Sequence, residues 1–441
     1  MRAALAIRGV PFTRCYAEAL EAESFSRESL LRYQARMLRS VLVSGRDKSP
    51  SFAKRCEGGQ KEDSIEVTPS RLLQSFQASS RDDLVRFALE ARQTGGRAFR
   101  KKSSGSTGRA LTLWKDGEGM ARELAATWRG HSWHGIPFGS TGIRIWGRSL
   151  STRASVQRWL RGMLQNVTYI SASDITPQSL EARLIRMRAV NPVYIYGYTS
   201  AVRDLALQVG EMTGYRLPQL KAVITTAEPL QDDVRGLIES AFSSVCVDEY
   251  GASEVGTIAH GCTGRHLHVS EDNMILEVES GAGEVSSFGT GSLLVTDLTN
   301  RMTPVIRYRL GDIVTLSQPD VCACGLPFKV ITEIHGRVED TVVTPDGRRH
   351  HPSLVCHLVG MVTQNLPGVS RYQVRQTSPS NFELLLATEK VHDRARLSRA
   401  ATEIFAKHLH PHVAVSVRVV EVIEREKSGK YRIVVNEVRP L

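Results

Sequence analysis

Between residues 26 and 43 the apolar positions Leu30, Leu31, Met37, Leu38, Val41 and Leu42 recur at helical spacing, and Arg27, Arg32, Arg36 and Arg39 fall outside that stripe. The spacing predicts an amphipathic helix, with Ser26 as its N-cap and Gly45 as its stop. Residues 44–65 are polar and contain glycine, which predicts a surface connection. Residues 81–92 carry a second helical stripe through Leu84, Val85, Ala88 and Leu89. From there the pattern alternates between two periods. Helical stretches at 120–131, 154–165, 178–189, 199–211 and 232–242 interleave with short β-rich runs at 142–146, 167–170, 193–196, 222–225 and 245–247. Alternation of this kind predicts βα units around a mostly parallel sheet. Residues 275–278 and 292–296 predict antiparallel strands joined by glycine-rich links.

A break in composition falls at Gly336-Arg337. Beyond it, strands at 372–374, 382–386 and 413–422 enclose a helix at 394–409, a strand–helix–strand order with its own core. The fold class expected is therefore α/β. A large N-terminal domain, residues 1–336, has mostly parallel sheets, helices and added antiparallel strands, and a small α+β domain covers residues 337–441. No internal repeat is visible. A chain of 441 residues is too long for one ordinary core, which agrees with a division into units.

Composition narrows the class. Apolar residues make up 41% and charged residues 23%, values of a soluble globular protein. Against 46 acidic residues stand 57 Lys and Arg, a net charge of +11 that suits anionic ligands. The basic residues are scattered without a nucleic-acid signature, so nucleic acid is not the partner expected. No run reaches the ~20 apolar residues of a membrane helix, and residues 1–10 lack a secretory core. Seven cysteines without framework spacing point to a reducing, cytoplasmic setting.

The first chemical signal is Lys101-Lys102-Ser103-Ser104-Gly105-Ser106-Thr107-Gly108-Arg109. Consecutive backbone N–H groups in such a loop form an anion-binding nest, hydroxyls add donors, and the flanking cations add charge. The glycines are too close for the Walker spacing, and a Ser/Gly linker has the same composition. Five further segments bear on the choice. Ala227-Glu228-Pro229 ends the predicted strand 222–225, where ligands of parallel sheets gather. Asp248-Glu249-Tyr250-Gly251-Ala252-Ser253-Glu254 follows another strand and offers a ring for stacking and a carboxylate for a hard cation. Arg307-Tyr308-Arg309-Leu310-Gly311-Asp312 places a carboxylate after a tight turn, Gly336-Arg337-Val338-Glu339-Asp340 marks the break, and Lys427-Ser428-Gly429-Lys430 is a turn near the C-terminus. Each alone is ordinary α/β punctuation or a solvated hairpin.

Together and in this order, the segments resemble the adenylate-forming superfamily of acyl-CoA synthetases, luciferases and adenylation domains. The nearest resemblance is to the phenylacetate-CoA ligase family, in its capsule-biosynthesis-associated branch, and it extends from the N-terminal helix to Lys430. The resemblance implies a role for each position. Ser103, Ser104, Gly105, Ser106, Thr107 and Gly108 would grip the β- and γ-phosphates of ATP. Ala227, Glu228 and Pro229 would flank the adenine and Tyr250 would stack on it, with Asp248, Glu249, Gly251 and Ser253 in the same ATP-binding segment. Asp312 would hold the ribose, Glu254 would carry Mg²⁺, and Arg337 would sit at the hinge of the small domain. Lys430 would reach the junction of carboxylate and α-phosphate, where negative charge must be screened as the bond forms. One departure stands out: Gly108-Arg109-Ala110 replaces the family's Gly-Lys-Pro, and a planar guanidinium is not a point ammonium.

Cys262, His268, Cys322 and Cys324 are separate in sequence, and free cysteines are most often small buried hydrophobes. In the branch resembled, this Cys/His/Cys/Cys arrangement holds a tetrahedral structural Zn²⁺, a closed set of three sulfurs and one nitrogen. His260 and His266 are expected to face solvent rather than a metal.

The resemblance implies that a carboxylic acid and ATP give acyl-AMP and pyrophosphate, and that the acyl group then passes to coenzyme A as a thioester. The alternative acceptors are an amine, giving an amide, and a carrier-protein phosphopantetheine. Tyr198, Thr199, Trp133 and Glu249 are the expected acid-pocket residues, with core packing the alternative for Trp133 and Tyr198. A carboxylate at Glu249 suits an acid bearing a polar substituent, against the family default of an aromatic acid. The resemblance also allows a homodimer. Two other classes make different predictions: a silent nucleotide-binding protein has no use for Glu254 and Lys430, and a nucleic-acid binder would show steep salt dependence without acid-dependent pyrophosphate exchange.

Overall fold

The computed structural model describes the chain except residues 58–67, 103–110, 147–161, 173–179, 211, 213, 351, 365, 367–368, 389–392, 425–430 and 439–441. By the density of contacts the chain divides into one unit of Met1–Leu310 with Thr315–Glu333, and another of Gly311–Val314 with Ile334–Leu441.

The first unit opens with helices Arg2–Ile7, Phe12–Glu21 and Arg27–Lys48. Ser26 caps the third, its hydroxyl accepting from the Ser29 N–H. Gly45 does not end that helix, which runs on to Lys48. A β-carbon at Gly45 would lie 2.8 Å from the Phe52 ring, so glycine here serves close packing rather than a helix stop. The expected surface connection is likewise partly helical, because Pro50–Cys56 forms a further turn capped by Ser49 and buries Phe52 and Cys56. Helices Pro69–Gln74 and Arg81–Gln93 follow, the latter closed by a reciprocal Ser80–Asp83 capping box.

Strands β1 (Phe99–Lys102) and β2 (Thr112–Lys115) then pair antiparallel as the two arms on either side of the Ser/Gly loop. After helix Gly117–Ser132 come β3 (Gly142–Ile145), β4 (Val167–Ile170), β5 (Tyr194–Tyr198), β6 (Ala222–Thr226) and β7 (Val245–Ala252), with helices Leu180–Val190, Thr199–Gly210 and Asp232–Phe242 between them. Next are β8 (Gly256–Gly261), β9 (Leu267–Val269), β10 (Met274–Glu279), β11 (Val285–Ser286), β12 (Gly289–Asp297), β13 (Tyr308–Ser317) and β14 (Val330–Arg337). They join one 12-stranded sheet in the order β11-β10-β12-β13-β14-β9-β8-β7-β6-β5-β3-β4. The β3-to-β7 half is parallel, and β7, β8 and β9 turn antiparallel.

Both faces of the parallel half are buried, and alternation along each strand assigns residues to one core or the other. Ile195, Val223 and Cys246 pack with Leu184, Val202, Leu205 and Ile238. Their neighbours Tyr194, Tyr196, Ala222, Ile224 and Val247 pack with Phe12, Ala121, Ala125 and Trp128.

In the second unit, β15 (Val342–Val343) pairs with β16 (Arg349–His350). Strands β17 (Val369–Ser378), β18 (Asn381–Thr388), β19 (Ala414–Val420) and β20 (Val434–Asn436) form a mixed sheet in the order β19-β18-β17-β20. Helices Pro352–Thr363 and Arg394–His408 supply Leu358, Val359, Ala401 and Phe405 to its core. Among the described residues no helix is long and apolar enough to cross a membrane.

Candidate active site

The parallel strands deliver their C-terminal ends side by side. Tyr198 pairs with Thr226 across β5 and β6, and Thr226 pairs with Glu249 across β6 and β7. Just past β6, Ala227 takes a left-handed φ of 68°, uncommon for a residue with a β-carbon. Its neighbour Glu228 is held by the start of helix Thr199–Gly210. The Ser200 N–H donates to Glu228 Oε2 at 2.7 Å, and the Thr199 hydroxyl donates to the Glu228 carbonyl at 3.0 Å. A carboxylate at a helix N-terminus meets both orphan amides and the positive end of the dipole. Tyr198 is buried and stacks on Trp146 with ring centroids 4.2 Å apart.

Two expectations about local structure are corrected. Asp248, Glu249, Tyr250 and Gly251 do not follow a strand but lie on it, because β7 extends to Ala252; only Ser253 and Glu254 occupy the turn to β8. Asp312 likewise sits within β13, after Gly311 at φ 88°, rather than beyond a tight turn.

A buried charge network ties the arms of the Ser/Gly loop to that turn. Lys115 is inaccessible to solvent, and its ammonium lies 3.2 Å from Glu123 Oε2, 3.1 Å from Asp297 Oδ2 and 3.3 Å from the Val255 carbonyl. Lys101, on the other arm, also pairs with Glu123. Burial alone would make an ammonium easier to deprotonate, but the Asp297 and Glu123 carboxylates outweigh it and raise the Lys115 pKa. Thus β1 and β2 are anchored beside the residue that follows Glu254. Glu254 is half-buried and, among the described residues, makes no ion pair.

Behind β7 lies a second polar group. Glu249 is 4% exposed and accepts from the Tyr196 hydroxyl at 2.6 Å. Burial pushes its carboxyl up to about 7, against the opposing pull of that hydroxyl and of Arg144. The Arg144 guanidinium lies over the Tyr196 ring, 4.8 Å from its centroid. Facing Glu249 are His131, from helix Gly117–Ser132, and His260, from β8. Their rings are 5.6 Å apart, and one ligand-capable atom from each of the three residues lies within 4.8 Å of the others. A β-carbon at Gly130 would stand 2.2 Å from His260 Cγ, so only glycine lets the helix come this close to β8. Contrary to expectation, His260 is buried, 1% exposed, and burial drives its pKa down to about 3. His266 is half-buried.

Cys262, His268, Cys322 and Cys324 converge at the end of the β8–β9 hairpin, their ligand atoms all within 4.8 Å of one another. The Cys262 and Cys322 sulfurs are 3.5 Å apart without a disulfide, and Cys324 Sγ is 3.1 Å from His268 Nε2. His268 Nδ1 lies 3.0 Å from the Phe328 carbonyl, which directs Nε2 into the cluster, and the Gly264 N–H donates to Cys262 Sγ at 3.3 Å. Without a metal, burial pushes the Cys324 thiol up to about 12 and raises Cys262. Three sulfurs and one nitrogen oriented from a backbone carbonyl fit a tetrahedral zinc ion. Trp133 packs on this cluster, with its indole N–H donating to Glu23 at 2.7 Å.

In the second unit, Arg337 Nε lies 3.2 Å from Asp312 Oδ1. The loop residues Ser103, Ser104, Gly105, Ser106, Thr107 and Gly108, and Lys430, lie outside the described residues. Sequence reasoning missed Lys115, Glu123 and His131. Lys115 and Glu123 carry no motif, and a lone histidine in a helix gives no sign of what it faces.

Residues 342–437 match the family model of the CapK C-terminal domain. Protein CapK of Staphylococcus aureus is 23% identical over 216 residues, 48% of this chain and 47% of that protein. A phenylacetate-coenzyme A ligase of Thermus thermophilus is 24% identical over 220 residues, again 48% of this chain and 46% of that one. The chain thus spans about half the length of the curated relatives it matches. A 2-hydroxyisobutyryl-CoA ligase, solved in the postadenylation state with an acyl-AMP, superposes with a TM-score of 0.67 over 94% of this chain and 91% of its own, at 15% identity. That last match establishes the fold over almost the full length. The chain has the fold of that CoA ligase. The CapK C-terminal model spans all four strands of the mixed sheet, β17 to β20.

Proposed function

We propose that this protein activates a carboxylic acid with ATP, releasing pyrophosphate, and passes the acyl group from the acyl-adenylate to coenzyme A as a thioester. The observation that carries the reading is the Lys115–Glu123–Lys101 network, which fixes both arms of the Ser103–Gly108 loop beside the Glu254 turn. Anion-binding amides and a magnesium-binding carboxylate must share one polyphosphate, and this anchoring supports that arrangement. The adjoining ends of β6 and β7 support an adenine site, with Ala227, Glu228 and Pro229 on one side and Tyr250 stacking. Asp312 holds the ribose. Arg337 serves as hinge between domains 1–336 and 337–441.

Glu254 would hold Mg²⁺, which would supply charge neutralisation at the phosphates. Lys430 screens the charge that builds as the carboxylate attacks the α-phosphorus. Zn²⁺ at Cys262, His268, Cys322 and Cys324 is structural, closing the β8–β9 hairpin onto the turn that carries Cys322 and Cys324. For the acid, Tyr198, Thr199 and Glu249 form the pocket, and a buried carboxyl at Glu249 favours a substrate with a polar substituent.

The test is acid-dependent ATP–pyrophosphate exchange over a panel of carboxylates, followed by acceptor-dependent AMP release. The wild type should exchange with at least one acid, and Lys430→Ala and Glu254→Gln should each lower the rate ~10²–10³-fold, the scale of losing one electrostatic contact to a transition state. Absence of exchange with every acid would remove the enzyme reading. AMP release that depends on an amine or a carrier protein, and not on coenzyme A, would replace only the second half.

A further inference from the structure

We propose that His131, Glu249 and His260 form a second metal site, taking a divalent cation of the zinc class, separate from the cysteine cluster. The three residues come from helix Gly117–Ser132, β7 and β8, and each is no more than 4% exposed. Their ligand atoms lie within 4.8 Å of one another, close enough for small side-chain rotations to bring them round one ion.

The partners of these atoms point the same way. Among the described residues, neither ring nitrogen of His131 has a hydrogen-bond partner, and neither do His260 Nε2 and Glu249 Oε2. Leaving buried polar atoms unpaired is costly, so a cluster of them facing one another is unfavourable unless something fills it. The atoms that do have partners are those that would orient ligands. His260 Nδ1 lies 3.0 Å from the Gly261 carbonyl, which fixes that nitrogen as the donor and leaves the Nε2 lone pair for a metal. Tyr196 donates to Glu249 Oε1 at 2.6 Å, leaving Oε2 directed elsewhere. His268 in the neighbouring cluster is held in the same manner by the Phe328 carbonyl, and it pairs directly with His260 across β8 and β9. The site must tolerate two cations: Arg144, over the Tyr196 ring, acts on His131 and Glu249, and Arg129 acts on His260. Two imidazoles and one carboxylate make a ligand set for zinc or a similar transition ion with an open position.

The experiment is metal counting on the full chain. Protein expressed with zinc is measured by elemental analysis beside His131→Asn and Glu249→Gln, two substitutions of similar shape distant in sequence from the cysteines. Each variant should hold one equivalent less than the wild type. After exchange into Co²⁺, each should keep the thiolate-to-cobalt absorption of the cysteine cluster, which shows that the fold around that cluster is intact. A metal count unchanged by both substitutions, with that absorption present, overturns the proposal. This outcome is independent of pyrophosphate exchange, so the two readings stand or fall separately.

Discussion

Lys115 shows what a single buried charge does in this chain. Its ammonium has no access to water, and three oxygens replace the lost hydration: Glu123, Asp297 and the Val255 carbonyl. Removing one partner of such a group leaves the others buried and uncompensated, which is worse than never having built the pair. Lys115→Met should therefore lower the unfolding free energy by about 3–5 kcal/mol, read from urea denaturation. Lys101→Met removes a cation from the same Glu123 at a more open position and should cost clearly less. Equal losses would mean that burial of Lys115 is not what makes its pairing matter. None of this could be read from the sequence, since a lysine ending a short strand ordinarily points to solvent. The loop between β1 and β2 stands out in the sequence by its glycines and hydroxyls between cations, but that composition fits a Ser/Gly linker as well, and Ser103 to Gly108 lie outside the described residues.

At the scale of elements, Glu118 links three pieces of chain. It begins helix Gly117–Ser132 and pairs with Arg301 at 2.8 Å, Arg122 at 3.1 Å and Arg14 at 3.3 Å. Burial disfavours its charge, but Arg301 and Arg122 more than compensate and hold its pKa below the ordinary glutamate value. A depressed pKa in the folded state means that the unfolded chain binds the proton more readily. The stabilisation is thus complete above the ordinary glutamate value and is lost as pH falls through the folded-state value. Glu118→Gln should cost about 2 kcal/mol at pH 7, and its deficit should shrink as the pH is lowered below 4. A deficit that stays constant with pH would assign the effect to packing instead. Elements with one clean period were legible in advance: the helix expected at 232–242 is Asp232–Phe242. Mistakes arose where a residue served two purposes. Gly45 has the composition of a helix stop but serves contact with Phe52, and the polar end of β7 has the composition of a loop but stays in the strand. Those polar residues remain strand-forming because β6 pairs with both Asp248 and Glu249 and β8 pairs with Glu249 on its other side.

At the scale of the whole molecule, the proposed reaction assigns its parts to different units. The strands flanking the proposed phosphate loop, Glu228, Tyr250 and Glu254 fall in the residue range of the first, and Asp312 and Arg337 in that of the second, the range that also contains Lys430, itself outside the described residues. A lysine on a separate unit has to serve the step in which charge builds at the α-phosphorus, when carboxylate and ATP combine. In the second step a thiol attacks the acyl carbon and AMP departs, and a lysine still in place would assist that departure too. The two steps therefore discriminate between a unit that stays and one that turns about Arg337. With a turning unit, Lys430→Ala should slow pyrophosphate exchange ~10²–10³-fold while leaving thiolysis of added acyl-adenylate by coenzyme A close to the wild-type rate. Equal losses in both assays would mean that Lys430 remains at the phosphate throughout and that Arg337 is not a hinge. Loss in neither would remove Lys430 from the chemistry, leaving Glu254 and the loop amides to carry the charge alone.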